Sequence, residues 1–138
     1  MSLKRWAVAT VGAFVVFFVA GYAIHHVWLG GFYKANPGWW RPEADMQRLM
    51  PLMTIGQLLL AALLTVVYSR GYERGKGGLG QGLRFGVLMG LLFGVPNSLM
   101  HYVVYPYPMS LILNWFIGGL AEMTAAGTVI GALYKPET

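Results

Sequence analysis

GLRFGVLMGLLFGVPNSLMHYVVY, residues 82–105, is the stretch that decides the fold of this chain. It carries a single Lys or Arg close to its start and is otherwise mostly apolar. It is long enough to cross a bilayer as a helix, which needs about 20 apolar residues. Gly82, Gly86, Gly90 and Gly94 recur at every fourth position, so a helix places them in one row. The stretch therefore predicts a transmembrane helix with one smooth face of small residues.

Three further apolar runs of similar length flank this one, at residues 6–29, 49–69 and 109–134. Apolar residues make up 57% of the chain and charged residues only 11%, whereas a soluble domain carries about 25% charged residues. Proline, glycine and polar residues separate the runs and predict loops. We therefore expect an all-α integral membrane protein, with residues 1–138 forming one bundle of four transmembrane helices.

The positive charges are distributed unevenly between the two predicted ends of this bundle. One end holds Lys4, Arg5, Arg70, Arg74, Lys76, Arg84 and Lys135, and the other holds Lys34, Arg41 and Arg48. Positive loops stay in the cytoplasm, so both termini are predicted there, in the inner membrane of a bacterium. The net charge of +5 then indicates contact with anionic lipid headgroups rather than nucleic acid.

Glycines also recur in the fourth predicted helix, at Gly119, Gly127 and Gly131. Lipid supplies no hydrophobic drive for helix association, so close backbone approach at small residues has to provide the contact. Two interpretations remain open for both glycine rows. They pack helices within one chain, or they form the interface of a homo-oligomer.

Polar residues within the apolar runs are the candidates for function, because such groups are costly in hydrocarbon. Glu122 lies deepest, about midway along the fourth helix, where it could relay a proton or cation or serve as a hydrogen-bonded structural residue. The other candidates fall at a similar depth in the predicted outer half, and all four helices contribute to this layer: His25, His26, Gln57, Asn97, His101 and Asn114. If the faces converge, they form a polar site open to the outside.

Cofactor and catalytic chemistry have weaker support in the sequence. Two histidines from two helices could hold a haem axially, but neighbouring His25 and His26 point about 100° apart on a helix, so one at most would meet His101. We predict no metal and no cofactor. The chain has no cysteine and no evident Ser-His-Asp arrangement or intramembrane carboxylate pair, so no enzyme activity is predicted.

The chain resembles uncharacterised small bacterial inner-membrane proteins of the domain-of-unknown-function kind. The residues behind the resemblance are Gly21, Trp28 through Tyr33, Asn97, the glycine row of the third helix and the Gly-Gly pair of the fourth. Such families carry no established activity to transfer. We favour a structural or accessory component of a larger membrane assembly. The alternatives are an oligomeric transporter or channel for protons or a small solute using Glu122, and a haem- or quinone-binding module.

Overall fold

The computed structural model describes residues 2–135, and these residues are helical apart from short connections. The elements are α1 (Leu3–Tyr22), which continues as a π-helical segment (Ala23–Trp28), then α2 (Gly30–Ala35), a 3₁₀ turn (Pro37–Trp39), α3 (Glu43–Arg70), α4 (Gly78–Val104) and α5 (Met109–Leu133). Four of these helices are long and apolar enough to cross a membrane, α1 being counted with its π-helical extension. The all-helical fold with four such helices is therefore as predicted.

Helix α3 begins at Glu43, although its apolar run starts only at residue 49. The first turn carries Glu43 and Asp45, and negative charge at a helix N-terminus stabilises the helix dipole. Arg48 pairs with Asp45 at 3.1 Å on the exposed surface. The apolar run marks only the part of α3 that suits the interior of a bilayer, and α3 begins before that run, at Glu43.

The segment predicted as a loop between the first two spans also contains ordered structure. Residues 30–35 form α2 and residues 37–39 a 3₁₀ turn, so the prolines and glycines divide the segment without abolishing helix. The π-helical end of α1 places the backbone N–H of Leu29 2.8 Å from the carbonyl of Ile24. This wider turn contains both histidines of the first span. The angle of about 100° between neighbouring residues, which holds for an α-helix, therefore does not apply to His25 and His26.

Helices α4 and α5 form the closest pair, and α1 packs against both α5 and α3. The helices therefore follow the order α3, α1, α5, α4 across the bundle. A Cβ added to Gly82 would lie 2.3 Å from the carbonyl oxygen of Gly127, and one added to Gly131 would lie 2.7 Å from Cα of Gly82. Only glycine permits this approach, so in this structure the glycines face each other across the α4–α5 contact.

The two ends of the bundle differ in composition, and we name them accordingly. The basic end carries the start of α1 and the α3–α4 loop, and the aromatic end carries α2 and the α4–α5 turn. The half toward the basic end is filled by a packed core of mostly small and aromatic residues: Ala9, Ala13, Phe17, Ala61, Leu64, Tyr68, Ala126, Ile130 and Tyr134. The guanidinium of Arg5 donates a hydrogen bond to the carbonyl of Lys135 and ties the two ends of the described chain together.

The α3–α4 loop is held by the buried side chain of Gln81. Its Oε1 accepts the backbone N–H of Glu73 at 2.9 Å, and its Nε2 donates to the carbonyls of Glu73 and Lys76 at 2.9 and 3.0 Å. Gly75 has φ +81°, a left-handed turn that favours glycine. The loop is therefore glycine-rich and at the same time anchored by the Gln81 side chain.

Candidate functional site

A cavity of about 540 Å³ occupies the half of the bundle toward the aromatic end. All four long helices line it. Five of the polar residues singled out in the sequence lie on its wall, one from α1, one from α3, two from α4 and one from α5: His25, Gln57, Asn97, His101 and Glu122. The structure thus brings these five candidates to one site.

Glu122 and Gln57 reach the same gap, which exists because residue 21 has no side chain. A Cβ added to Gly21 would lie 3.4 Å from Nε2 of Gln57 and 3.8 Å from Oε1 of Glu122. Among residues 2–135, no hydrogen bond or ion pair involves the Glu122 carboxylate. The gap beside Gly21 therefore holds the end of one amide and one carboxylate that lacks a partner from the described chain.

His25 belongs to a hydrogen-bonded row that crosses from α1 to α5. The indole N–H of Trp115 donates to the hydroxyl oxygen of Tyr33 at 2.8 Å, and that hydroxyl lies 2.8 Å from Nδ1 of His25. Since an indole N–H can only donate, the Tyr33 proton is free to donate to His25. If Tyr33 donates to Nδ1, a neutral His25 carries its own proton on Nε2.

Burial raises the pKa of the Tyr33 hydroxyl above its ordinary value, while the hydrogen bond from Trp115 acts in the opposite direction. The hydroxyl therefore keeps its proton at neutral pH and remains a donor. Its ring also stacks on His25 with centroids 5.9 Å apart. Tyr33 thus fixes the orientation of one cavity-lining histidine.

Aromatic rings pack together at the aromatic end of the bundle, and Trp115, one of them, lies on the cavity wall. Trp40 contacts the rings of Tyr33, Tyr107 and Trp115 with centroid separations of 5.1, 5.6 and 6.2 Å. Trp39 packs on Tyr107 at 5.7 Å. These rings join the loop after α2, the α4–α5 turn and α5 into one layer, which we call the aromatic cap (Tyr33, Trp39, Trp40, Tyr107 and Trp115).

The cavity ends toward the basic end where the packed core begins, and it opens between α3 and α4. Phe17, Leu60 and Met123 line the cavity and also belong to the core or pack on it. Met53 of α3 and Phe93 of α4 line it too, yet they are 60% and 46% exposed. The opening therefore faces sideways, toward the surface that surrounds the apolar helices.

Two predicted candidates lie outside the cavity. The ring of His26 stacks on Tyr22 at the outer surface, with centroids 4.9 Å apart. Asn114 lies on α5 but does not line the cavity. On a helix Asn114 shares its face with Gly118, where an added Cβ would lie 3.1 Å from Ile24, so at Gly118 this face packs against the first span.

The glycines of the packing prediction also separate into two groups. Gly90 and Gly94 meet Leu120 and Phe116 of α5, with the nearest side-chain atoms 2.8 Å from an added Cβ. Gly119 has no such neighbour within 4 Å, and it lies on the cavity wall, which Gly90 and Gly94 also line. Its role here is to leave space in the site.

Sequence reasoning did not identify Tyr33, Trp115 or Gly21 as parts of the site. Tyr33 and Trp115 lie far apart in the chain, and each has the composition of an ordinary residue near a membrane interface. Gly21 interrupts an apolar run without any periodic partner. The available signal was the density of aromatic rings in residues 32–40 and 105–115.

The site combines amide, imidazole and carboxyl groups with apolar walls. Among the described residues, no lysine or arginine lines it, and no group of three or more His, Asp or Glu is placed to hold a metal ion. Such a lining can donate and accept hydrogen bonds and can attract one positive charge.

The chain matches no protein-family model, no curated protein and no solved structure.

Proposed function

We propose that this protein spans the bacterial inner membrane as a four-helix bundle, with both termini in the cytoplasm, and binds a small amphipathic molecule from the bilayer. The molecule enters sideways between α3 and α4. Its polar head reaches the side chains beside Gly21, and its apolar body stays among aromatic and aliphatic residues. One of the functions left open by the sequence, a quinone-binding module, is a member of this class.

The outer surface of the helices supports placement in a bilayer. Large apolar side chains face outward along every long helix, with Val11 58%, Leu63 63%, Leu88 60% and Ile117 54% exposed. Water would not tolerate so much exposed apolar area on a monomer. Lipid does, and the uneven distribution of Lys and Arg supports the stated orientation.

The cavity is the observation that carries the proposal. Its volume of about 540 Å³ lies within the range of about 300–1,000 Å³ that is usual for small-molecule sites. Convergent polar groups on an otherwise apolar wall are also usual for such sites. Because the opening is lateral, a ligand dissolved in the membrane reaches it without crossing the aromatic cap.

Binding accounts for the site more simply than conduction does. A proton or solute that crosses the chain would have to pass the packed core of the basic half, where Ala13, Ala61 and Ile130 are fully buried. A role as accessory component of a larger assembly is compatible with binding and would use the outward helix faces. The cavity itself is explained by a ligand.

Single-cysteine labelling in nanodiscs tests the proposal, because the chain has no cysteine of its own. Ser98→Cys places a thiol on the cavity wall, and Ile117→Cys places one on the outer surface as the matched control. The probes are 4-biphenylmethanol and (4-biphenylmethyl)trimethylammonium, which share an apolar body and differ in the head. We expect at least one probe to slow alkylation of Ser98→Cys by a membrane-soluble maleimide in a saturable manner, with no effect on Ile117→Cys.

Equal slowing at both positions would mean that the probes merely dilute the reagent in the membrane. No saturable slowing by either probe would contradict ligand binding in the cavity.

A further inference from the structure

The electrostatic character of the cavity is set by one acid. Of the described residues, Glu122 is the only acidic one on the wall, and no lysine or arginine among them lines it. The remaining polar groups of the wall, from Gln57, Asn97, Ser98, His25 and His101, are amide, hydroxyl or imidazole groups. A carboxylate withdrawn from water is costly unless a positive group or hydrogen bonds compensate for it, and without them it takes up a proton. The described chain supplies neither to Glu122, which is partly buried, so an ionised Glu122 needs a compensating group from elsewhere.

The walls around this acid suit an organic cation. Four aromatic residues line the cavity: Phe17, Phe93, Trp115 and Phe116. The face of an aromatic ring attracts a cation within about 6 Å, and the attraction grows when water is excluded. A strongly hydrated inorganic ion would lose its water here without gaining enough oxygen ligands. An ammonium group attached to an apolar body loses less water and fits the same walls.

From these observations we infer that the ligand is an amphipathic organic cation whose ammonium group pairs with the Glu122 carboxylate in the gap beside Gly21. The inference rests on the proposed function, since it assigns the ligand class of the same cavity. Gln57 contributes its amide next to the ion pair. The apolar body of the ligand extends toward the opening between α3 and α4.

Protons compete with such a ligand. Protonation removes the negative charge of Glu122, and positive charge on the other titratable groups of the wall, His25 of the first span and His101 of α4, would repel a cation. Tyr33 faces His25 through its hydroxyl and stays neutral. All these changes weaken cation binding in acid. Glu122→Gln removes the part of this pH dependence that comes from the carboxyl group and leaves the part that comes from the histidines.

The experiment measures saturable binding of radiolabelled (4-biphenylmethyl)trimethylammonium to the full chain in nanodiscs, relative to empty nanodiscs. A neutral isostere, in which a tert-butyl group replaces trimethylammonium, controls for shape and apolar area. We expect the cation to bind at least about tenfold more tightly than the isostere, a step that corresponds to about 1.4 kcal/mol. We expect Glu122→Gln to abolish this preference.

Two variants control for damage to the fold. Glu43→Gln makes the same substitution at an exposed helix end and should keep the preference. Gly21→Ala adds a methyl group at ordinary contact distances of 3.4 and 3.8 Å, so it should fold normally while narrowing the gap and weakening cation binding severalfold.

The possible results separate the two proposals. If 4-biphenylmethanol protects Ser98→Cys but the cation binds no better than its isostere, ligand binding stands and the cation inference is wrong. The inference is also wrong if the preference survives in Glu122→Gln, or if the cation binds Gly21→Ala as tightly as it binds the unchanged chain. If neither the alcohol nor the cation binds saturably, both proposals are wrong.

Discussion

Replacing Gly86 by alanine should loosen the α4–α5 contact by a calculable amount. A Cβ at this position would lie 2.5 Å from the carbonyl oxygen of Met123 and 2.7 Å from Cα of Thr124. Both neighbours are backbone atoms, so they cannot rotate away. Restoring ordinary contact at about 3.5 Å requires the helices to separate by about 1 Å at this point.

The magnitude follows from comparing two opposing effects. Overpacking in a tight interface costs about 1–3 kcal/mol, whereas alanine is favoured over glycine in a helix by about 1 kcal/mol. Gly56→Ala isolates the second effect, because nothing lies within 4 Å of a Cβ at that position in α3. The difference between the two variants should therefore equal the overpacking cost, about 1–3 kcal/mol with Gly86→Ala less stable.

Reversible unfolding of the full chain in mixed micelles, driven by increasing SDS, measures these free energies. Since the contact lies within one chain, the difference should not depend on protein concentration. Equal stabilities of Gly86→Ala and Gly56→Ala would refute the close α4–α5 packing. A difference that appears only at high protein concentration would instead place the glycine row at an interface between chains.

Three further predictions concern the loop and the aromatic end. Gln81→Leu removes three hydrogen bonds to the α3–α4 loop and should cost about 1–3 kcal/mol in the same unfolding assay; an unchanged stability would show that the loop is not anchored by this side chain. The hydrogen bond and charge of Lys76, and then the charge of Arg84, hold the pKa of Glu73 below its ordinary value of 4.5. The loop contacts of Glu73 should therefore be complete above about pH 4.5 and should be lost as the pH falls through the lower folded value. Below that pH we expect faster amide hydrogen exchange in the loop, after correction for the intrinsic rate, and no such change in Glu73→Gln. An identical pH profile in Glu73→Gln would contradict this role of the Glu73 carboxylate. Tyr33→Phe deletes the acceptor of the Trp115 indole N–H and should cost about 1–2 kcal/mol while shifting the fluorescence of Trp115; an unshifted spectrum, with the other tryptophans replaced by phenylalanine, would rule out that bond.

The fold was largely predictable because hydropathy and proline–glycine breaks act locally. The four apolar runs reappear as the four long helices. Residues 42–48 were expected to form a short interfacial turn of helix, and in the structure helix from Glu43 onward continues directly into the second span as α3. The π-helical end of α1 was not predictable, since its sequence, AIHHVW, also suits an ordinary α-helix. Which helix meets which glycine row likewise depends on tertiary contacts that the spacing alone leaves open.

Several residues of the site were predictable from the sequence, but which of the candidates line the cavity was not. Depth along each helix selected Gln57, Asn97 and Glu122, because polar residues in apolar runs stand out. Depth also selected Asn114, which lies outside the cavity, since rotation about the helix axis is fixed by packing against α1. Gly21 is part of the site through the space it leaves, and an absent side chain gives no polar signal.

A ligand from the membrane binds in the cavity that opens between α3 and α4. Photo-crosslinking tests this binding most directly. The probe is the biphenylmethyl trimethylammonium cation carrying a diazirine on its apolar body, applied to the wild-type chain in nanodiscs and mapped by peptide mass spectrometry. We predict crosslinks at cavity residues such as Met53, Phe93 and Phe116, suppressed by excess unlabelled cation. Crosslinks spread over outward residues such as Val11 and Ile117, and insensitive to the competitor, would contradict the account.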